Sequence, residues 1–185
     1  VYKRQLFGSD QDAKGRAHQA FDQAYRKYVA EVHPLEPDIR PQLEHLRELG
    51  VKTGLISNRK REFLEHELAL VDGTGWEDLF DVVVCGSDVE KRKPSPQMLL
   101  KAMEMLNRPP AESCWYVGDS TTDVIAAKEA GVTSIFYNGA GWDQAWLDKI
   151  FPHTVKHPHR PDAVVGSIAE LTTLARHLLA QHKRV

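Results

Sequence analysis

"WYVGDSTTDV", residues 115–124, is an apolar run that stops abruptly on small and acidic residues. It reads as a buried strand followed by a turn and a helix start, with Asp119 and Asp123 one helical turn apart. The same alternation continues on both sides. Upstream, "RPQLEHLRELG" (40–50) and "KREFLEHELAL" (60–70) have helical spacing, while "VKTGLIS" (51–57) and "FDVVVCG" (80–86) read as strands. "SPQMLLKAMEMLN" (95–107) is a helix with Ser95 as its expected cap and Pro96 at its first position. Downstream come the helix "TTDVIAAKEAG" (121–131) closed by Gly131, the strands "TSIFYNG" (133–139) and "DAVVGS" (162–167), and a terminal helix from Ile168. Strands alternating with helices at this spacing predict an α/β fold: a parallel, Rossmann-like sheet with helices on both faces.

In such sheets ligands gather beyond the carboxyl ends of the strands. Three strand ends carry suggestive chemistry. Ser57 and Asn58, in "GLISNRKR", could offer a hydroxyl and a backbone N–H to a phosphate, or serve simply as helix caps. Lys93, in "EKRKPSPQ", is biased by Pro94 to an extended backbone. From there it could hold a carboxylate in place and offset phosphate charge, or belong to a solvated basic loop with Lys91 and Arg92. Asp119, directly at a strand end, suits Mg²⁺, which takes one or two carboxylates together with substrate phosphate. Asp123 could hold a metal-bound water or orient Lys93, or the two acids could merely favour a helix N-terminus.

Composition narrows the function. The chain has 185 residues and a net charge of -2, enough for one sizeable core and without a basic stripe for nucleic acid. No apolar run approaches the ~20 residues of a membrane span. Cys85 and Cys114 are expected to be buried, reduced thiols in a cytoplasmic protein. Oligomeric state is not legible.

Taken in order, "LISN" (Ser57), "KRKPSP" (Lys93) and "VGDSTTD" (Asp119, Asp123) resemble motifs II, III and IV of the haloacid dehalogenase-like hydrolase superfamily, in its phosphoglycolate-phosphatase-like branch. The resemblance covers about residues 36 to 175. It implies a Mg²⁺-dependent phosphatase for a small phosphomonoester, in which Ser57, Asn58 and Lys93 bind the phosphoryl group and Asp119 and Asp123 serve the metal. In that family an aspartate attacks phosphorus to form an aspartyl-phosphate, and a second aspartate two positions on acts as acid and base. Both belong to a motif I strand ending in Asp-x-Asp-x-Thr, which lies centrally between the strands of motifs II and IV.

These residues contain no such strand. Asp10 and Asp12 have the spacing, but Phe7, Gly8 and Ser9 precede them in place of an apolar run, and Lys14 stands where Thr is required. They are expected to be an acidic helix start. "DAKGRAHQAFDQAYRKYVAEV" (12–32) is one amphipathic helix, with Ala17, Phe21, Tyr25 or Ala24, and Tyr28 at helical spacing, and resembles the end of the family's helical cap. The opening "VYKRQ" back-translates to the end of a transposase adaptor. Residues 1–5 are therefore expected to be adaptor, with the rest of 1–35 a cap remnant and 36–185 the core. A genuine N-terminus matching by chance is the other possibility. The truncated chain is expected to be inactive alone. Alternatives are a dehalogenase or phosphonatase of the same superfamily, or a non-catalytic phosphate-binding or scaffold protein.

Two features stand apart from the motifs. His153, His157 and His159 lie in a proline-rich stretch that reads as a surface loop. Trp142 and Trp146 are expected to pack a helix, while the loop Gly139 to Trp142 could help select substrate.

Overall fold

The computed structural model describes residues 8–28, 31 and 33–182. The expected adaptor, Val1 to Gln5, lies outside them, as do residues 29, 30 and 32 of the first expected helix. The elements run α1 (Gln11–Tyr28), α2 (Ile39–Glu48), β1 (Gly54–Ser57), α3 (Arg61–Leu70), β2 (Val82–Cys85), α4 (Gln97–Met105), β3 (Trp115–Gly118), α5 (Thr121–Ala130), β4 (Thr133–Tyr137), α6 (Gln144–Ile150), β5 (Ala163–Val165) and α7 (Ile168–His182). Short 3₁₀ turns, Val71–Gly73 and Glu77–Leu79, lead from α3 into β2. Gly131, at φ 72°, ends α5 in the left-handed conformation that a side chain would disfavour. The helix expected to start at Pro96 starts at Gln97, whose amide donates to the Ser95 hydroxyl at 3.4 Å.

All strand pairing is parallel, as each connection through a helix requires. The strands nevertheless form two sheets, not one: β1–β2, and β3–β4–β5. Gly54 pairs with Val82 and Ser57 with Cys85, while Trp115 pairs with Thr133 and Ile135 with Ala163. β1 and β3 therefore each have a ladder on one side only.

Side-chain alternation sorts the core onto two faces. On one face Val82 and Val84 of β2 pack with Met98, Leu99, Ala102 and Met103 of α4, and with Ala126, Ala127 and Ala130 of α5. Ile56 of β1 and Tyr116 of β3 lie against the same cluster, so this apolar layer joins both sheets. On the other face the apolar residues form two clusters. Cys85, Leu64, Leu68 and Trp76 pack under β1–β2, and Ile135, Val165 and Leu171 under β3–β5. Helices α2 and α7 lie side by side over that face.

Two expectations change. Cys85 is buried, but Cys114 is only half-buried, because it precedes β3 where the chain rises to the surface. Helix α1 is amphipathic in sequence yet buries no residue, with Phe21 and Tyr28 both 60% exposed. It is tied to the rest through Tyr25, whose ring meets Phe63 edge-on at 5.9 Å and whose hydroxyl donates to Glu67. Lys60 to Asp22 at 3.0 Å and Arg26 to Glu62 at 3.7 Å complete the attachment.

Candidate active site

The carboxyl ends of β1, β2 and β3 bring Lys93 and Asp123 together, with Ser57 and Asp119 at the neighbouring strand ends. Lys93 is held at both ends. Its backbone N–H donates to Asn58 Oδ1 at 3.0 Å, and Asn58 Nδ2 donates back to the Lys93 carbonyl at 3.2 Å. Its Nζ donates to Asp123 Oδ1 at 2.7 Å, to Tyr116 Oη at 2.8 Å and to the Ile56 carbonyl at 3.4 Å. Lys91 and Arg92 are exposed as a basic loop would be, whereas the Lys93 side chain is only 11% exposed. The Lys93–Pro94 peptide is cis.

Asp123 is buried, and both its oxygens are engaged. Oδ1 accepts from Lys93 and from the Tyr116 hydroxyl at 3.0 Å; Oδ2 accepts from the Ser120 amide at 3.1 Å and from the Ser120 hydroxyl. The Ser120 pair closes a capping box at the start of α5. Burial pushes the Asp123 carboxyl up, but the bonds from Lys93 and Ser120 and the Lys93 charge outweigh it and hold the group below the usual carboxylate range. Of the readings the sequence allows Asp123, its contacts match two: it pairs with Lys93, and through Ser120 it sits at the helix N-terminus. The approach needs Gly118, since a Cβ there would lie 2.3 Å from the Asp123 Cβ.

Asp119 differs. It is exposed at the end of β3, and no hydrogen bond reaches its carboxylate from the described residues. Its charge acts on two phenols. Tyr116 is pushed up first by burial, then by Asp123 and Asp119. Tyr137 is pushed up to about 12, chiefly by its hydrogen bond to Glu36. A strand-end carboxylate that takes no hydrogen bond from the described residues fits Mg²⁺ sharing its coordination with a phosphate. Among the described residues there is no group of three or more His, Cys, Asp or Glu side chains arranged to hold an ion alone.

Neither Ser57 nor Asn58 caps a helix: α3 begins four residues beyond Ser57, and Lys60 occupies the cap position. The Ser57 hydroxyl accepts from the Arg59 amide at 3.2 Å, which leaves its proton free to donate. Arg59 itself turns away to pair with Glu67 at 3.1 Å and to lie over the Tyr25 ring.

Tyr116, Ser120 and Glu36 are missing from the sequence-derived set. Ser120-x-x-Asp123 carries the capping-box spacing and was legible. Tyr116 looks like core in an apolar run; its only signal is that a buried phenol needs a partner. Glu36, which accepts from Tyr137 Oη at 2.5 Å and from the Ile168 amide at 3.2 Å, has no local signature.

The remaining candidates settle elsewhere. Asp10 caps α1, accepting from the Ala13 amide at 2.8 Å. His153 bonds the Pro158 carbonyl region and His159 lies 3.3 Å from Glu129, so the histidines do not converge. Asn138 closes the Gly139–Trp142 loop by two bonds to the Trp142 backbone. Trp142 stacks on Phe136 but lies ahead of α6 and is 41% exposed, and Trp146 is 53% exposed beneath Lys149, so the pair does not bury a helix face.

The sequence profile described as haloacid dehalogenase-like hydrolase matches residues 3–137. Phosphoglycolate phosphatase of Rhodobacter capsulatus is 32% identical over 142 residues, 74% of this chain and 61% of that protein. Pyrophosphatase PpaX of Bacillus cereus (strain B4264) is 28% identical over 159 residues, 84% of this chain and 68% of that protein. The crystal structure of a HAD phosphatase from Thermococcus onnurineus superposes with a TM-score of 0.64 at 28% identity, over 84% of this chain and 64% of that one. The chain spans between 50% and 65% of the length of three curated relatives that it matches.

Proposed function

Because the chain belongs to the haloacid dehalogenase-like hydrolases, we propose that it carries the phosphate- and Mg²⁺-binding part of a phosphomonoesterase for a small phosphorylated metabolite. The observation that carries this reading is the Lys93 ammonium, held by Asp123 and Tyr116 at the carboxyl ends of the strands. Lys93 offsets the charge of the transferring phosphoryl group, and the free proton of Ser57 donates to one of its oxygens, joined by the backbone N–H of Asn58. Asp119 would hold Mg²⁺, and Asp123 serves that arrangement from behind by keeping Lys93 in place. Bound Mg²⁺ supplies charge neutralisation at the phosphoryl oxygens. The relatives named for phosphoglycolate and pyrophosphate suggest compact, strongly anionic substrates. A cytoplasmic setting suits the free thiols Cys85 and Cys114.

Attack through an aspartyl-phosphate needs an apolar strand ending in Asp-x-Asp-x-Thr, which these 185 residues do not contain. The chain by itself is therefore expected not to turn over. Fused behind such a strand, it should release phosphate from phosphoglycolate or p-nitrophenyl phosphate only with Mg²⁺. Lys93→Ala should lower that rate by about 100-fold or more. Turnover by the chain alone above its Lys93→Ala control would overturn the reading, as would silence from the fused, folded protein.

A further inference from the structure

We infer that Tyr116 is a positioning residue whose hydroxyl, accepting from Lys93 and donating to Asp123, aims the Lys93 ammonium into the strand-end site. Lysine has four rotatable bonds and a head that water solvates well, so a single acceptor would leave it many orientations. Its three protons here meet three acceptors on three different elements: the Ile56 carbonyl on β1, Tyr116 Oη on β3 and Asp123 Oδ1 on α5. The Ile56 contact, at 3.4 Å, is the loosest. Direction is therefore set mainly by Tyr116 and Asp123.

Of those two, Tyr116 is the rigid reference. It stands in the middle of the paired strand β3, and its ring lies against the apolar layer beneath both sheets. The hydroxyl has one proton to give, and Asp123 Oδ1 takes it at 3.0 Å, which leaves the oxygen lone pairs to Lys93. Lysine, phenol and carboxylate thus form a closed triangle in which each group fixes the other two. The phenol also positions Asp123, because it donates to the same oxygen that Lys93 uses. Packing alone does not call for a hydroxyl here. Phenylalanine would fill the same space, and burying a phenol without partners is unfavourable. Tyr116→Phe therefore deletes the anchor while keeping the ring, over which the ammonium sits 5.5 Å from the centroid.

The consequence for turnover rests on the phosphatase reading, but the geometry can be tested without activity. The test is competitive acetylation of the 185-residue chain, native and urea-unfolded, with each lysine quantified by peptide mass spectrometry. Lys101, which donates to the Asp88 carbonyl at 2.8 Å, and Lys128, paired with Asp162, are internal controls. Lys93 should be protected in the native chain. Tyr116→Phe should raise its labelling about 3- to 10-fold, the loss of one hydrogen bond, with both controls unchanged. Three results would overturn the proposal: Lys93 labelling unchanged by Tyr116→Phe, a rise shared equally by the controls, or no protection of Lys93 in the native chain. None of these bears on whether phosphate is released, so a failure here is distinct from a failure of the phosphatase reading.

Discussion

The two sheets begin with the same device and end with different ones. At the amino end of β2, Asp81 accepts from the Thr53 amide at 2.9 Å while its own amide donates to the Thr53 carbonyl at 2.8 Å. At the amino end of β5, Asp162 accepts from the Ser134 amide at 2.8 Å and donates to the Ser134 carbonyl at 2.7 Å. Each aspartate is also paired with a lysine, Lys52 and Lys128 respectively. An aspartate one residue ahead of an outer strand thus pins that strand to its inner neighbour. The facing inner edges, β1 and β3, have no ladder between them. The halves are joined by the apolar layer of α4 and α5 below, by α2 against α7 on the other face with Glu36 bonded to Tyr137 and the Ile168 amide, and by Lys93 bridging to Tyr116 and Asp123 at the carboxyl end. Register within each half is therefore set by backbone bonds, while the relation between halves depends on side chains.

The sharpest way to break that distinction is to remove a side chain shared by both halves. Met98 is fully buried in the layer that touches β2 on one side and α5 on the other. Met98→Ala is expected to cost about 2–5 kcal/mol and to loosen both sheets together. Hydrogen exchange should show amides of β1 and β3 losing protection in parallel. Loss confined to β1–β2 would mean that the halves are independent.

Removing the clamps one at a time should instead separate the halves. Asp81 has a side chain 19% exposed, and Asp162 one 43% exposed. Asp81→Ala is expected to cost about 1–3 kcal/mol, since it strands a buried amide and removes charged hydrogen bonds. Asp162→Ala strands the buried Ser134 amide in the same way, but its more solvated ion pair should place it at the lower end of that range. Urea midpoints of the two variants would rank them, and equal losses would show that exposure does not set the difference.

How much of this was legible follows from where the information lies. Strand and helix alternation and the Gly131 stop could be read because each is a pattern within about ten residues, whereas Ser57 and Lys93 stand out only through the order of three segments along the chain. The Asp81–Thr53 clamp spans 28 residues, as does the Asp162–Ser134 clamp, and Glu36 meets Tyr137 across 101. No local spacing encodes such partners. The sequence points to the Asn58 backbone N–H, yet its side chain grips Lys93, a contact that only the meeting of β1 with the loop before α4 creates. Helix α1 shows the converse limit. Its apolar periodicity is genuine, but periodicity says which face is apolar and not what covers it, and here Phe21 and Tyr28 remain exposed.

Acid gives the smallest and most specific contrast between the halves. The Asp81 carboxyl is held below its ordinary value of 3.8 by the Lys52 hydrogen bond and then by the Thr53 amide. The Asp162 carboxyl is pushed up by burial, but the Lys128 hydrogen bond and the Ser134 amide bring it below the same value. A depressed carboxyl stabilises the fold above its unfolded pKa, and that contribution disappears as pH falls through the lower, folded value. The stability difference between the native chain and Asp81→Ala should therefore be full at neutral pH and begin to shrink near pH 3.8, fading further in stronger acid. Urea titrations across that range would check it. In Asp162→Ala the same fading should begin at the same pH from a smaller starting difference, because its pair is more open to water. A difference that persisted in strong acid would assign the clamps' contribution to shape and not to charge.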